Sequence, residues 1–142
     1  MKQDAARQIN RVSNMLRRKM NEFSAFTDLT FAQSRALYFI LRNSDEIYQK
    51  DIEEEYMLRP PTASELLKSM EQIGLLRRES SATDGRRKRI VPTDKALVQK
   101  ELVEKEIIAL EECLTSGISP QDMETFFRVT EHMLSNLEGD IP

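Results

Sequence analysis

Residues 77–91, RRESSATDGRRKRIV, gather six Lys and Arg against two acidic residues in a chain whose formal net charge is −3. Such a cluster beside an Asp-Gly turn is either a solvated hairpin or a surface for a polyanion. Guanidinium and ammonium groups pair with phosphate oxygens and release condensed counterions. The other chemistry-bearing residues carry less. Glu53, Glu54 and Glu55 are consecutive, so on a helix they point about 100° apart and cannot converge on one cation. They read as a solvated face. His132 is the only histidine, and only Glu131 stands near it at ligand spacing, so a surface or structural role is expected. Cys113 is the only cysteine, which excludes an intrachain disulfide and a cysteine-built metal site. Following Glu111 and Glu112, it does not read as a redox sensor. No nucleophile elbow, Gly-rich phosphate loop or paired carboxylates with a plausible base occur, so neither an enzyme nor a cofactor is expected.

The charge is unevenly distributed. Residues 59–95 carry nine basic and five acidic residues, residues 1–58 nine of each, and residues 97–142 three basic and ten acidic. The middle is therefore basic and the C-terminal third acidic, an asymmetry that bears on partners more than the total does. At 142 residues the chain is most simply one domain. Its apolar runs are far shorter than a membrane span needs, and MKQDAARQIN lacks the apolar core of a secretory signal. A cytoplasmic protein without membrane contact is expected.

The elements that must position the basic cluster follow from periodicity. Ile9, Val12, Leu16, Met20, Phe23 and Phe26 recur every three or four residues, one face of a helix. Thr30 can cap a second helix running to about Arg42, and IYQKDIEEEYML reads as a short third with Ile52 and Tyr56 inward. In RPPTASELLKSMEQIGL the prolines suit a helix start, with Thr62 or Ser64 offering capping oxygens. Ala63, Leu66, Leu67, Met70 and Ile73 form an inner stripe. Gly74 stands where a helix end wants a left-handed residue. LLRRES and RKRIV flank the Asp-Gly turn as short strands. A long helix is expected from Leu97 to about SGISP, and a last one from Ser119-Pro120 carrying Met123, Phe126, Phe127, Thr130, Leu134 and Leu137. The fold class is thus mainly α with a small β-hairpin: four helices, the hairpin, then two helices.

Two short helices, a tight joint and a basic hairpin make a winged helix-turn-helix. A helix with a small, polar outer face fits a DNA major groove, where side chains reach base edges. A basic hairpin beside it reaches phosphates or inserts Arg into a narrow minor groove. Three stretches, LTFAQSRALYFI, QKDIEEEYMLRPPTASELLKSMEQIGLLRR and DGRRKRIVPTDKA, together resemble the MarR family of bacterial transcription regulators over roughly residues 29–96. Pro92 replaces the usual Leu and Ala96 the common Gly; both touch only the junction after the wing.

The resemblance implies a winged helix-turn-helix DNA-binding region at 30–95, dimerisation helices at 1–27 and 97–142, and a homodimeric repressor on a pseudo-palindromic operator in double-stranded DNA. By carry-over, Pro61, Thr62, Ser64, Glu65 and Lys68 read the major groove and Arg86 enters the minor groove. Arg78 and Asp84 support the wing, Asp84 by pairing with a nearby Arg. Arg59, Arg87, Lys88 and Arg89 contact phosphates. A small aromatic effector is implied between the dimer helices and the winged region, with Met15, Phe26, Phe31, Tyr38 and Phe39 as candidate lining residues; ordinary core packing is the other reading of each. The apolar stripes of the first and last helices exceed what a winged region can cover, so a second copy is the simplest cover. Two other readings remain at this stage: a winged module that binds an acidic protein, and a DNA-binding protein without an effector.

Overall fold

The computed structural model describes residues 3–23, 27–81 and 85–139, with the side chain of Phe23 excepted. The elements are α1 (Ala5–Phe23), α2 (Phe31–Arg42), α3 (Gln49–Tyr56), α4 (Pro60–Gln72), β1 (Leu76–Ser80), β2 (Lys88–Pro92), α5 (Asp94–Val98), α6 (Lys100–Thr115) and α7 (Pro120–Glu138). Two compact units divide the chain, Met1–Leu110 and Glu111–Pro142.

In the first unit, local signals set the boundaries of the helices. Thr30 caps α2 reciprocally: its hydroxyl accepts from Gln33 N at 3.2 Å, and Gln33 Oε1 accepts from Thr30 N at 3.1 Å, a capping box. Gln33 Nε2 also donates to Ser69 Oγ at 3.1 Å, tying α2 to α4. The start of α4 departs from expectation. Arg59 is its N-cap and makes no side-chain cap hydrogen bond, because Pro60 and Pro61 take the first two helical positions, where no N–H needs a partner. Thr62 and Ser64 therefore lie inside the helix rather than capping it. Its other end follows the sequence: Gly74 has φ +81°. Leu75 N donates to Met70 O at 2.9 Å and Gly74 N to Glu71 O at 3.0 Å, the paired bonds of a Schellman motif.

β1 and β2 pair antiparallel from Leu76 opposite Pro92 to Ser80 opposite Lys88, so Pro92 stands at the strand's last residue, where a missing N–H is tolerated. Ile47, just before α3, adds a single bridge to Ile90, with Ile90 N donating to Ile47 O at 2.7 Å. The core lies between α2, α3, α4 and the hairpin and includes Leu37, Ile52, Leu67, Met70 and Leu75, all 0% exposed. The helix expected from Leu97 is broken: α5 ends at Val98, and Gln99, at ψ −3°, donates back to Ala96 O. That tightened turn involves neither Gly nor Pro, so periodicity could not reveal it.

Glu106 on α6 is a buried carboxylate. Thr27 Oγ1 donates to its Oε2 at 3.5 Å, and its Oε1 has no hydrogen-bond partner. Burial raises its pKa above the usual 4.5, against a smaller lowering by Thr27. A raised folded-state pKa gives a stability contribution that is full below the unfolded pKa and lost as pH rises through the folded one. Glu106→Gln is therefore expected to gain stability over the parent as pH climbs from the acid side to neutrality. Urea unfolding at both ends checks this; an unchanged difference would refute it.

In the second unit, Ser119 caps α7 by accepting from Asp122 N at 3.1 Å, with Pro120 next. α7 buries no residue. Phe126 and Phe127 are 53% and 55% exposed and meet edge to face at 5.4 Å between centroids. No helix among the described residues is long and apolar enough to cross a membrane.

Candidate nucleic-acid interface

Helix α4 has two chemically distinct faces. Ala63, Leu67 and Met70 are buried; on the outside Pro61, Thr62, Glu65 and Lys68 are exposed and Ser64 is half-buried. Arg59 is exposed at the helix start. The outer face is short, polar and free of bulky apolar groups, which suits close approach to base edges.

The hairpin is joined to this helix by an ion pair. Arg78 Nε of β1 lies 3.2 Å from Glu71 Oε1 of α4, though it is not aligned for a hydrogen bond. Arg78 thus spans the helix and the wing. Its expected companion Asp84 lies outside the described residues. The basic cluster separates into groups with different surroundings. Arg77 Nε donates to Glu79 Oε1 at 2.7 Å and Arg89 Nη2 to Glu79 Oε2 at 2.9 Å. These bonds, Arg77's first, hold the Glu79 carboxyl below its usual range. Arg89 also lies 3.6 Å from Glu46 Oε1. Arg87 stacks over Tyr48 with its Cζ 3.6 Å from the ring centroid. Arg86, Arg87 and Lys88 are exposed. Arg77, Arg78 and Arg89 therefore already have carboxylate partners, which lowers their capacity for phosphate.

The candidate effector residues do not converge. Tyr38 and Phe39 line a hollow of about 340 Å³ with Arg35, Arg42 and Tyr56; Met15 and Phe31 are not part of it. Met15 is 58% exposed on α1, Phe31 packs half-buried against the core, and Phe26 lies outside the described residues. Arg42 donates to the Tyr38 hydroxyl, and Tyr56 donates to Arg35 O at 2.7 Å. Burial pushes the Tyr56 pKa up to about 12, so its phenol stays protonated. Cys113 and His132 are exposed, and the described residues contain no group of three side chains able to hold a metal. Tyr48, Glu46, Glu71, Arg35 and Arg42 were not singled out by sequence reasoning. Tyr48, Glu46 and Arg35 have partners distant in the chain, at Arg87, Arg89 and Tyr56, for which no local pattern exists, whereas Glu71 meets Arg78 just past the helix end and Arg42 meets Tyr38 one turn back on α2.

Comparison with known proteins agrees with this architecture. Residues 27–87 match the model of the MarR family. No curated protein matches the sequence. Among solved structures, the transcription regulator MarR of Oenococcus oeni PSU-1 is 27% identical with TM-score 0.84, covering 93% of this chain and 99% of that one. The S. aureus MepR–DNA complex is 25% identical with TM-score 0.84, covering 95% and 99%. CouR from Rhodococcus jostii RHA1 bound to p-coumaroyl-CoA shares the fold at 18% identity and TM-score 0.80, covering 92% and 91%. The MarR family's model thus covers α2, the α3–joint–α4 pair and β1, and the surrounding chain follows the fold of the solved MarR transcription regulator.

Proposed function

We propose that this chain is a sequence-specific DNA-binding transcription regulator, a homodimeric repressor of a pseudo-palindromic operator. The observation that carries the reading is the joint presentation of α4's polar outer face and the basic hairpin, linked through Arg78 and Glu71. A major groove about 12 Å wide admits one helix, so Pro61, Thr62, Ser64, Glu65 and Lys68 would face base edges. Arg59 and Lys88 would meet phosphates, and Arg86 would enter the adjacent minor groove, with Arg87 beside it on the wing. MepR, which has this fold, has been solved on DNA. A second copy is the natural cover for α7, whose Phe126, Phe127 and Leu137 are exposed, and two-fold symmetry matches a palindromic site. The acidic C-terminal third then lies in the part of the dimer that does not touch DNA.

Regulation by a small aromatic acid is supported by the hollow at Tyr38 and Phe39. Its volume falls within the ligand-pocket range, and two guanidinium groups, Arg35 and Arg42, against one carboxylate, Glu55, stand beside aromatic rings for an acidic ligand. The ligand acts if it and DNA favour different arrangements of the two reading helices.

The test is the affinity of purified protein for its preferred duplex. Arg86→Ala is expected to cost at least about 1 kcal/mol in fluorescence anisotropy titrations. An unaltered affinity would remove Arg86 from the interface.

A further inference from the structure

The two feet of the wing meet on one side chain that belongs to neither strand. Tyr48 is the N-cap residue of α3, and its backbone N donates to Asp51 Oδ2 at 2.8 Å, which fixes the start of the ring's position. Its hydroxyl donates to Glu46 and stands 2.8 Å from Ser81 Oγ, which itself donates to Glu46 Oε2 at 3.3 Å. Ser81, buried, follows β1; Arg87 precedes β2 and lies flat over the same ring at 3.6 Å. Ser81 N donates to Arg87 O at 3.0 Å, closing the two feet on each other. Glu46 also pairs with Arg89 of β2, and Ile47 is bridged to Ile90. One short segment, residues 46–48, thus holds both ends of the hairpin's distal half.

We infer that Tyr48 is the positioning residue of the wing, and that Arg87 acts on DNA through its stack on Tyr48 rather than as a phosphate ligand. The inference rests on the DNA-binding reading above. A two-stranded hairpin is marginal by itself, and a wing that had to be ordered on contact would weaken binding by that ordering cost. The Tyr48 ring removes part of the cost by holding the guanidinium face to face, a contact that Arg makes better than Lys. The hydroxyl does the same for Ser81 on the other strand.

The experiment uses the full chain with four variants: Tyr48→Phe, Tyr48→Leu, Arg87→Ala, and Tyr48→Leu combined with Arg87→Ala. Each is titrated at several salt concentrations against the duplex the wild type prefers and against random duplex. Tyr48→Leu and Arg87→Ala should each weaken specific binding by the dimer about five- to thirty-fold, the range for losing an exposed cation–π contact in both copies. The double variant should be no weaker than either single one, because both remove the same contact. The salt slope should not change, since no phosphate contact is lost. Tyr48→Phe, which keeps the ring, should recover most of the loss. In NMR spectra of the free protein, the Arg87 δ-methylene protons should be shifted upfield by the ring in wild type and Tyr48→Phe, and not in Tyr48→Leu. Additive losses, or a salt slope reduced by about two in the Arg87→Ala dimer, one for each copy, would overturn the inference and make Arg87 a phosphate ligand. A wild type with no preference for any duplex would instead defeat the DNA-binding reading. The NMR comparison then still decides the stack: Arg87 shifts that ignore the loss of the ring refute it.

Discussion

Leu67→Ala is expected to lower the unfolding free energy by about 2–5 kcal/mol, the range for truncating a fully buried leucine. Leu67 is 0% exposed, as are its neighbours Ala63 and Met70 on the inner face of α4 and Ile52 on α3. These residues are the main apolar seat of α4, whose N-terminus lacks a side-chain cap and whose polar ties are the Gln33–Ser69 hydrogen bond and the Arg78–Glu71 ion pair. The cavity left by the missing atoms would therefore loosen the element that carries Thr62, Glu65 and Lys68. Urea denaturation followed by circular dichroism checks this: the midpoint should fall with the slope unchanged. An unaltered midpoint would mean that the inner face of α4 is not part of the cooperative core. Lys68→Ala, one residue along but on the exposed face, should leave the unfolding free energy within about 0.5 kcal/mol of the parent.

The second large effect concerns salt. The bare sequence offers six cations at residues 77–91, twelve in a dimer, and if all neutralised phosphates the affinity would drop more than a million-fold between roughly 50 and 200 mM salt. The structure argues for a smaller number. Arg77, Arg78 and Arg89 are paired with Glu79, Glu71 and Glu46, and Arg87 is stacked on Tyr48. Arg59, Arg86 and Lys88 are the cations that the proposed docking assigns to DNA, six in a dimer. The expected loss over that salt interval is then about 1,000-fold. A titration series on one duplex measures the slope. A slope near zero would contradict binding through charge, and one near twice the expected value would mean that the wing's ion pairs open on DNA.

The parts of this molecule that were legible in the sequence are those governed by local rules. Thr30 with Gln33, Gly74, and Ser119 with Pro120 mark helix ends because capping and left-handed turns depend on residues three or four apart. The Asp-Gly turn between two β-prone runs located the wing for the same reason. The cap of α4 lies at Arg59, three residues before Thr62 and five before Ser64, since those are good caps in isolation and only the helical geometry of Pro60 and Pro61 displaces them. The break at Gln99 left no trace in residue types. Of the candidate site, the outer face of α4 could be read from periodicity, but the division of the six wing cations could not. It depends on Glu46, Tyr48 and Glu71, which reach the wing only after the chain has folded. The effector candidates fared similarly: being large and apolar did not bring Met15 or Phe31 to the hollow that Tyr38 and Phe39 share with Arg35 and Arg42.

The measurement that bears most directly on the account is selection of bound sequences from a random pool of double-stranded DNA by the purified full chain. The expected result is an enriched pseudo-palindrome whose half-sites lie about one helical turn apart, as two symmetry-related reading helices require. Recovered sequences indistinguishable from the starting pool would contradict it.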